Sequence, residues 1–331
     1  MTTRYKNVYI NASSSVVGPY EKEGPLKDYF DMSFDKLTIG EKTWEKAEKM
    51  LLKYSVSIVL EKAAEDKQNI DLFIAGDLLN QIVPSSNTAL SFGIPFLGVY
   101  SACASYVEAM IIASNMIGSK QIKKAICGTS SHNLAAEKQF RYPTEYGASL
   151  LKTTTFTATG GASIYLSNEP SNIKIESSTI GKVIDKGQKN PAHVGAAMAP
   201  AAADTIYKHL QDMNRNIDYY DLIITGDLGL YGKEILIDYM KEEYNIDISK
   251  RYNDCGLMLY DLNKQKEVMA GGSGPACSAL VFNSYILDKM KDKSLKKILF
   301  VGTGALYSTT MVYQKCSIPC VAHLISLELV E

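Results

Sequence analysis

A chain of 331 residues is long enough to divide its apolar residues between more than one packed unit, and its 46% hydrophobic and 21% charged residues are ordinary for a globular protein. Its 35 basic and 36 acidic residues leave a formal charge of −1, which argues against nucleic acid as the main partner, since phosphate binding calls for a basic surplus or stripe. The first seven residues are polar and Val8-Tyr9-Ile10 is short, so no signal peptide is expected. No run approaches the roughly 18 apolar residues that span a bilayer. The expectation is a soluble protein, or one peripheral to a membrane. Six cysteines without a secretory signal read as free thiols. Cys316 and Cys320 have C-x3-C spacing, but no second pair at zinc-like spacing accompanies them.

In chain order, Trp44, Ala47, Leu51, Tyr54 and Ile58 recur at steps of three and four, one face of a helix. Asp71-Leu-Phe-Ile-Ala-Gly-Asp77-Leu78 follows as a buried strand ended by a turn, and Ile94-Pro-Phe-Leu-Gly-Val-Tyr100 as another. Ser101-Ala-Cys103-Ala-Ser105 opens a segment apolar nearly all round, which marks a helix buried on every side. Lys123-Lys124-Ala-Ile-Cys-Gly-Thr129 is a further strand. All but the Ile94–Tyr100 strand return in a second copy. A segment free of Gly and Pro, residues 201–213, precedes Asp221-Leu-Ile-Ile-Thr-Gly-Asp227-Leu228; Pro275-Ala-Cys277-Ser-Ala279 opens a second all-apolar segment; Lys296-Lys297-Ile-Leu-Phe-Val-Gly-Thr303 closes the copy. The copies lie 150 residues apart at the first strand and 174 at the cysteines, so the second carries an insertion, placed near Asp254-Cys-Gly-Leu-Met-Leu-Tyr-Asp261. Alternating strands and helices imply mainly parallel sheets covered by helices. Two copies with one fully buried helix each predict an α/β five-layer αβαβα sandwich built from duplicated halves, residues 1–170 and 171–331, an arrangement that resembles the thiolase fold.

Cys103 is the first candidate for chemistry. A thiol at a helix start feels the positive end of the helix dipole, which favours thiolate, and condensing enzymes keep their acyl-accepting cysteine at such a place. The other reading is a small residue packed where helix and strand meet. A cysteine nucleophile needs a base and oxyanion donors. Of four histidines, His132 follows a strand, His193 stands in a turn before a helix, His209 sits among polar residues and reads as solvated, and His323 reads as a core histidine in a strand. Neither the Gly-His-Pro nor the Gly-rich Cys-Gly loop of thiolase-type catalysis is present in the second half, and Gly302-Thr-Gly-Ala-Leu-Tyr307 carries no nucleophile or base. The machinery for acyl transfer is incomplete.

Over essentially its whole length the chain resembles the stage V sporulation protein AD family. The resemblance rests on Val17-Gly-Pro, Glu23-Gly-Pro-Leu26, Thr43-Trp-Glu-Lys-Ala-Glu48, Ala75-Gly-Asp-Leu-Leu-Asn-Gln81, Ile94-Pro-Phe-Leu-Gly98, Ser130-Ser-His132 and Ala136-Glu-Lys-Gln-Phe-Arg-Tyr-Pro-Thr-Glu-Tyr-Gly147. It continues in Gly195-Ala-Ala-Met-Ala-Pro-Ala-Ala202, Thr225-Gly-Asp-Leu-Gly229, Gly271-Gly-Ser-Gly274 and Gly302-Thr-Gly-Ala-Leu306. Ser273-Gly-Pro-Ala-Cys-Ser-Ala279, the stretch 148–157, Gln314-Lys-Cys316 and His193 depart from the family's usual residues. What the resemblance implies is a thiolase-like fold without known condensing activity. It also implies binding of dipicolinic acid, and work with the membrane subunits of the stage V A transport complex, which load this compound during sporulation and release it at germination. The implied location is the cytoplasmic side or periphery of the inner spore membrane, as a homodimer, with calcium as a counter-ion and no other cofactor.

A planar dianion calls for cationic donors, backbone N–H groups at helix starts and flat surfaces. Ser131, His132, Arg141, Tyr142 and Tyr146 supply such parts, with Arg141 as a bidentate clamp or as the structural partner of Glu137 or Glu145. Cys103 would mark a second carboxylate site, and His193 would face it. Two other functions stay open at this point: an acyltransferase using Cys103 with His132 or His193, and a scaffold for membrane subunits.

Overall fold

The computed structural model describes residues 1–140 and 150–330. Its frame is ten strands: β1 Tyr9–Val17, β2 Leu72–Gly76, β3 Phe96–Gly98, β4 Lys124–Ser131, β5 Gly160–Ser167, β6 Ile173–Ile180, β7 Leu222–Thr225, β8 Tyr252–Asp254, β9 Lys297–Ala305 and β10 Cys320–Leu329. They hydrogen-bond in the order β3-β2-β4-β5-β1-β6-β10-β9-β7-β8. Read outward from the middle, each half has the same plan: its first strand, then its fifth, fourth, second and third. Within this ten-strand frame the halves meet where β1 pairs with β6, through Tyr9↔Lys174 and Ile10↔Ile173. The expected duplication is thus a duplication of topology.

The main helices are α1 Trp44–Ala63, α2 Val83–Phe92, α3 Ser105–Gly118, α4 Asn133–Phe140, α5 Val194–Met213, α6 Gly229–Tyr244 and α7 Pro275–Val281. Helix α1 covers β1 and β5 from outside, and α5 covers β9 and β10. Helix α3 touches β2 and β4 of its own half and β9 and β10 of the other, with α7 beside it. These contacts give the five layers. The central core draws Ile74, Met110 and Ile164 from the first half and Ile224, Phe300 and Ile325 from the second. Helix α7 runs on through a π turn, Phe282–Ile286. There Phe282 stacks on Phe300 of β9 with ring centroids 4.3 Å apart. The neighbouring Asn283 donates to the carbonyls of Ser14 (2.9 Å) and Ser163 (3.0 Å) and accepts from Tyr106 Oη at 2.7 Å. One buried amide therefore ties α7 to α3, β1 and β5 with its hydrogen-bonding capacity used.

Two readings change in detail. In α1 the buried positions are centred on Leu51, Leu52, Val56 and Val59, while Tyr54 and Ile58 pack on the strip around Met32 and Phe34. Helix α5 starts at Val194 rather than at residue 201, running through Pro200. The insertion of the second half lies between β8 and α7 and begins with a short helix, Cys255–Met258.

His209 is a correction. It is fully buried, accepting or donating at Thr179 Oγ1 (2.8 Å) and Tyr220 Oη (2.8 Å), where polar flanking residues had suggested solvent. Burial holds its pKa down at about 4, so the folded protein keeps it neutral. A base depressed in the fold contributes stability above the unfolded value, and that contribution is lost as pH falls from there toward the folded value. The difference in unfolding free energy between wild type and His209→Gln should therefore narrow by about 3 kcal/mol between pH 6.5 and 4, measured by urea denaturation. A difference that stays constant would show that His209 titrates normally. His323 behaves as expected of a core histidine: it is 8% exposed, and its Nδ1 accepts from Gly181 N–H at 3.3 Å.

Candidate functional site

Between β3 and α3 the chain makes a tight turn that presents Cys103. Ala102 adopts a left-handed φ of 50°, uncommon for a residue with a side chain. The turn is held by Ser105 Oγ, which accepts from Ser101 N–H at 2.9 Å and donates to Ala102 O at 2.7 Å. It sits hard against β9: a Cβ on Gly304 would lie 2.2 Å from Ser101 O. Gly302-Thr-Gly304, which carries no reactive group, is therefore the seat of the cysteine turn.

Cys103 lines a cavity of about 390 Å³ between the two halves. Its walls include Leu78, Tyr100, Phe140, Leu150, Leu151, Met198, Tyr307 and Tyr313, and among the described residues its charged groups are Glu137 and Asp227. A second, more open depression shares Leu78, Tyr100, Phe140 and Tyr307 with it.

Asp227, at the end of β7, is fully buried. It accepts from Gly274 N–H at 3.0 Å and from Thr303 Oγ1 at 2.8 Å, and its carboxyl lies within hydrogen-bonding reach of the Cys103 thiol. Burial pushes its pKa up to about 7, with the nearby Asp254 charge acting the same way against these hydrogen bonds. Burial and the Asp227 charge likewise push the Cys103 thiol well above its ordinary value. The helix start was expected to favour thiolate; burial and the neighbouring acid override it.

The partner residue in the first copy, Asp77, behaves differently. It accepts from Leu79 N–H (2.9 Å), Ser85 N–H (3.0 Å) and Ser85 Oγ (2.6 Å), binding the start of its own helix α2. In the second copy Asp254 of β8 takes that role, receiving Leu228 N–H and Gly229 N–H at 2.9 Å each. Asp227 is thereby left to face the cavity.

Of the residues singled out from sequence, Cys103 is on the cavity wall. Ser131 lies behind it: its Oγ donates to Ala158 O at 2.6 Å and would stand 3.0 Å from a Cβ on Gly274. His132 points to the opposite side of its strand, with Nε2 2.7 Å from Leu37 O and its ring 5.4 Å from that of Trp44. His193 precedes α5 with its ring 5.8 Å from Tyr231; its neighbours Ala192 and Val194 line the cavity. Arg141, Tyr142 and Tyr146 lie outside the described residues. Asp227, Tyr100, Phe140 and Tyr307 were not anticipated as site residues, although an aspartate directly after a buried strand marks the end of the sheet where α/β proteins build sites.

The Stage V sporulation protein AD (SpoVAD) family matches residues 2–328. This chain belongs to that family. Stage V sporulation protein AD of Bacillus subtilis (strain 168) is 44% identical over 321 residues, covering 97% of this chain and 94% of that one. Two solved structures share the fold at low identity. A variant of OleA from Xanthomonas campestris has a TM-score of 0.64 at 13% identity, covering 98% of this chain and 99% of its own. The 3-oxoacyl-[acyl-carrier-protein] synthase III of Aquifex aeolicus VF5 has a TM-score of 0.59 at 11% identity, covering 97% and 99%. The fold is thus that of the thiolase-like condensing enzymes, and family membership supports a role in sporulation.

The Asp227 charge has a direct chemical readout. In Asp227→Asn the Cys103 thiol should ionise at lower pH, so its alkylation by iodoacetamide, followed peptide by peptide, should set in about one pH unit or more below wild type. An unshifted profile would mean that the carboxyl does not act on the thiol.

Proposed function

We propose that this sporulation protein binds dipicolinic acid non-covalently in the cavity beside Cys103. It would pass the ligand to the membrane subunits of the stage V A transport complex, for uptake in sporulation and release at germination. The observation that carries this reading is the site itself, a small-molecule cavity whose thiol is pushed toward its neutral form by burial and by Asp227. A volume near 390 Å³ falls among small-ligand pockets, about 300–1,000 Å³. Tyr100, Phe140 and Tyr307 offer flat surfaces for a pyridine ring. The start of α3 offers the positive end of a helix to a carboxylate. A thiol pushed toward its neutral form is a poor acyl acceptor, which favours binding over condensation. Calcium would accompany the dianion as its counter-ion.

No helix among the described residues is long and apolar enough to cross a membrane; passage across the bilayer is assigned, on this reading, to partner subunits, with this chain peripheral to the inner spore membrane. A homodimer would form along β3, which ends the sheet next to the cavity, with Leu97 43% and Tyr100 47% exposed there. An edge strand of this kind is a template for pairing with another chain.

Titration calorimetry of the purified protein with dipicolinate, with and without calcium, tests the reading. Saturable binding is expected, with Cys103→Ala within about twofold of wild type and Arg141→Ala weaker by about tenfold or more, the loss of a charge-assisted clamp. Wild-type protein that takes up no dipicolinate under either condition would sink the proposal. Sedimentation should show a dimer that Leu97→Lys converts to monomer; a wild-type monomer would remove the dimer from it.

A further inference from the structure

Asp227 is a buried carboxyl on a ligand cavity with no cation among its described neighbours. Every element packed against it brings either an uncharged donor or another acid. From the turn before α3 comes the Cys103 thiol; from β9, Thr303 Oγ1 at 2.8 Å; from the start of α7, Gly274 N–H at 3.0 Å. Asp254 stands behind it on β8, Cys255 and Cys277 lie beyond, and Cys320 of β10 also feels its charge. Glu137 and the tyrosines Tyr100, Tyr307 and Tyr313 complete the titratable groups on the described cavity wall. A negative carboxylate is tolerable here while the cavity holds water. It becomes strongly unfavourable once an anion enters and displaces that water, because two like charges then share a low-dielectric space.

We propose that anion binding in this cavity is coupled to proton uptake at Asp227, so that the empty site carries the carboxylate and the occupied site the carboxylic acid. The proton comes from solvent and stays on an Asp227 oxygen. The neutral acid can then donate a hydrogen bond toward the ligand where the carboxylate would repel it. This deepens the dipicolinate reading and rests on it: the ligand class becomes a dicarboxylate whose affinity is set by pH through a group of the protein. Burial already raises the free carboxyl to about 7, so the empty site is largely ionised above neutrality. The sign follows. A bound state that holds one more proton than the free state loses affinity as pH rises, by about tenfold per pH unit once the free group is ionised. Dipicolinate itself stays a dianion throughout this range, so the dependence belongs to the protein.

The experiment is calorimetry of wild-type protein with calcium-free dipicolinate at about pH 8 in phosphate and in Tris, whose heats of ionisation differ, together with affinities from about pH 6 to 9. Expected are a buffer-dependent heat equivalent to nearly one proton taken up per ligand, and an affinity that falls about tenfold per pH unit at the alkaline end. Asp227→Asn should abolish both the uptake and the pH dependence. Thr303→Val, which removes one donor to the carboxylate and so raises its pKa, should move the fall in affinity to higher pH; it serves also if Asp227→Asn folds poorly. Saturable wild-type binding with buffer-independent heat overturns the coupling and leaves the binding role standing. Proton uptake that survives Asp227→Asn, or an unshifted profile in Thr303→Val, overturns the assignment to Asp227. A wild-type protein that binds no dipicolinate removes the coupling and the binding role together.

Discussion

Two helices without a polar face must be covered on every side, and the architecture is the solution to that constraint. Helix α3 belongs by sequence to the first half but rests on strands of both, and α7 lies beside it with Phe282 stacked on β9. Asn283 is one of the buried polar groups of this layer, and its amide reaches three neighbouring elements, β1, β5 and α3. Because α3 is pressed between the sheets, the turn that begins it is pressed too, and Cys103 comes out at the floor of a cavity between the halves. The position of the site is thus a by-product of how the core closes.

Duplication gave the protein two aspartates in the same place, and they have separated. Asp77 remains a helix-capping residue, its oxygens filled by the first turn of α2. Asp227 was relieved of that task by Asp254 and turned to Cys103. Burial raises all three carboxyls, Asp77 and Asp254 to about 6 and Asp227 to about 7; what sets Asp227 apart is that it faces the cavity, where a raised carboxyl is poised for chemistry or ligand control. Burial and the same neighbouring carboxyl push the Cys103 thiol toward its neutral form.

Much of this organisation was legible in the sequence because it depends on pattern. The repeated Gly-Asp after an apolar run located β2 and β7, and the two all-apolar segments located the central layer. Cys103 was placed correctly at the head of α3. What pattern did not show was direction. Ser131 and His132 are adjacent, and alternation along the strand sends them to opposite sides, so only Ser131 comes near the cavity wall. His209 looked solvated because Lys208, Gln211 and Asp212 surround it, yet Ala202, Ile206, His209, Leu210 and Met213 share one helical face; the period held the answer where local composition misled. Helix α5 runs through Pro200, against the usual rule that proline ends a helix.

The thin seam between β1 and β6 has a consequence for how the chain folds. Two residue pairs join the sheets there, so the halves are held together mainly through α3, α7 and the strands that face them. A ribosome delivers α3 long before β9 and β10, which supply its second wall at residues 297–329. Until then the first half carries a greasy helix with one side open, and contacts so distant in sequence close slowly. The β9–β10 hairpin therefore acts as the latch of this core.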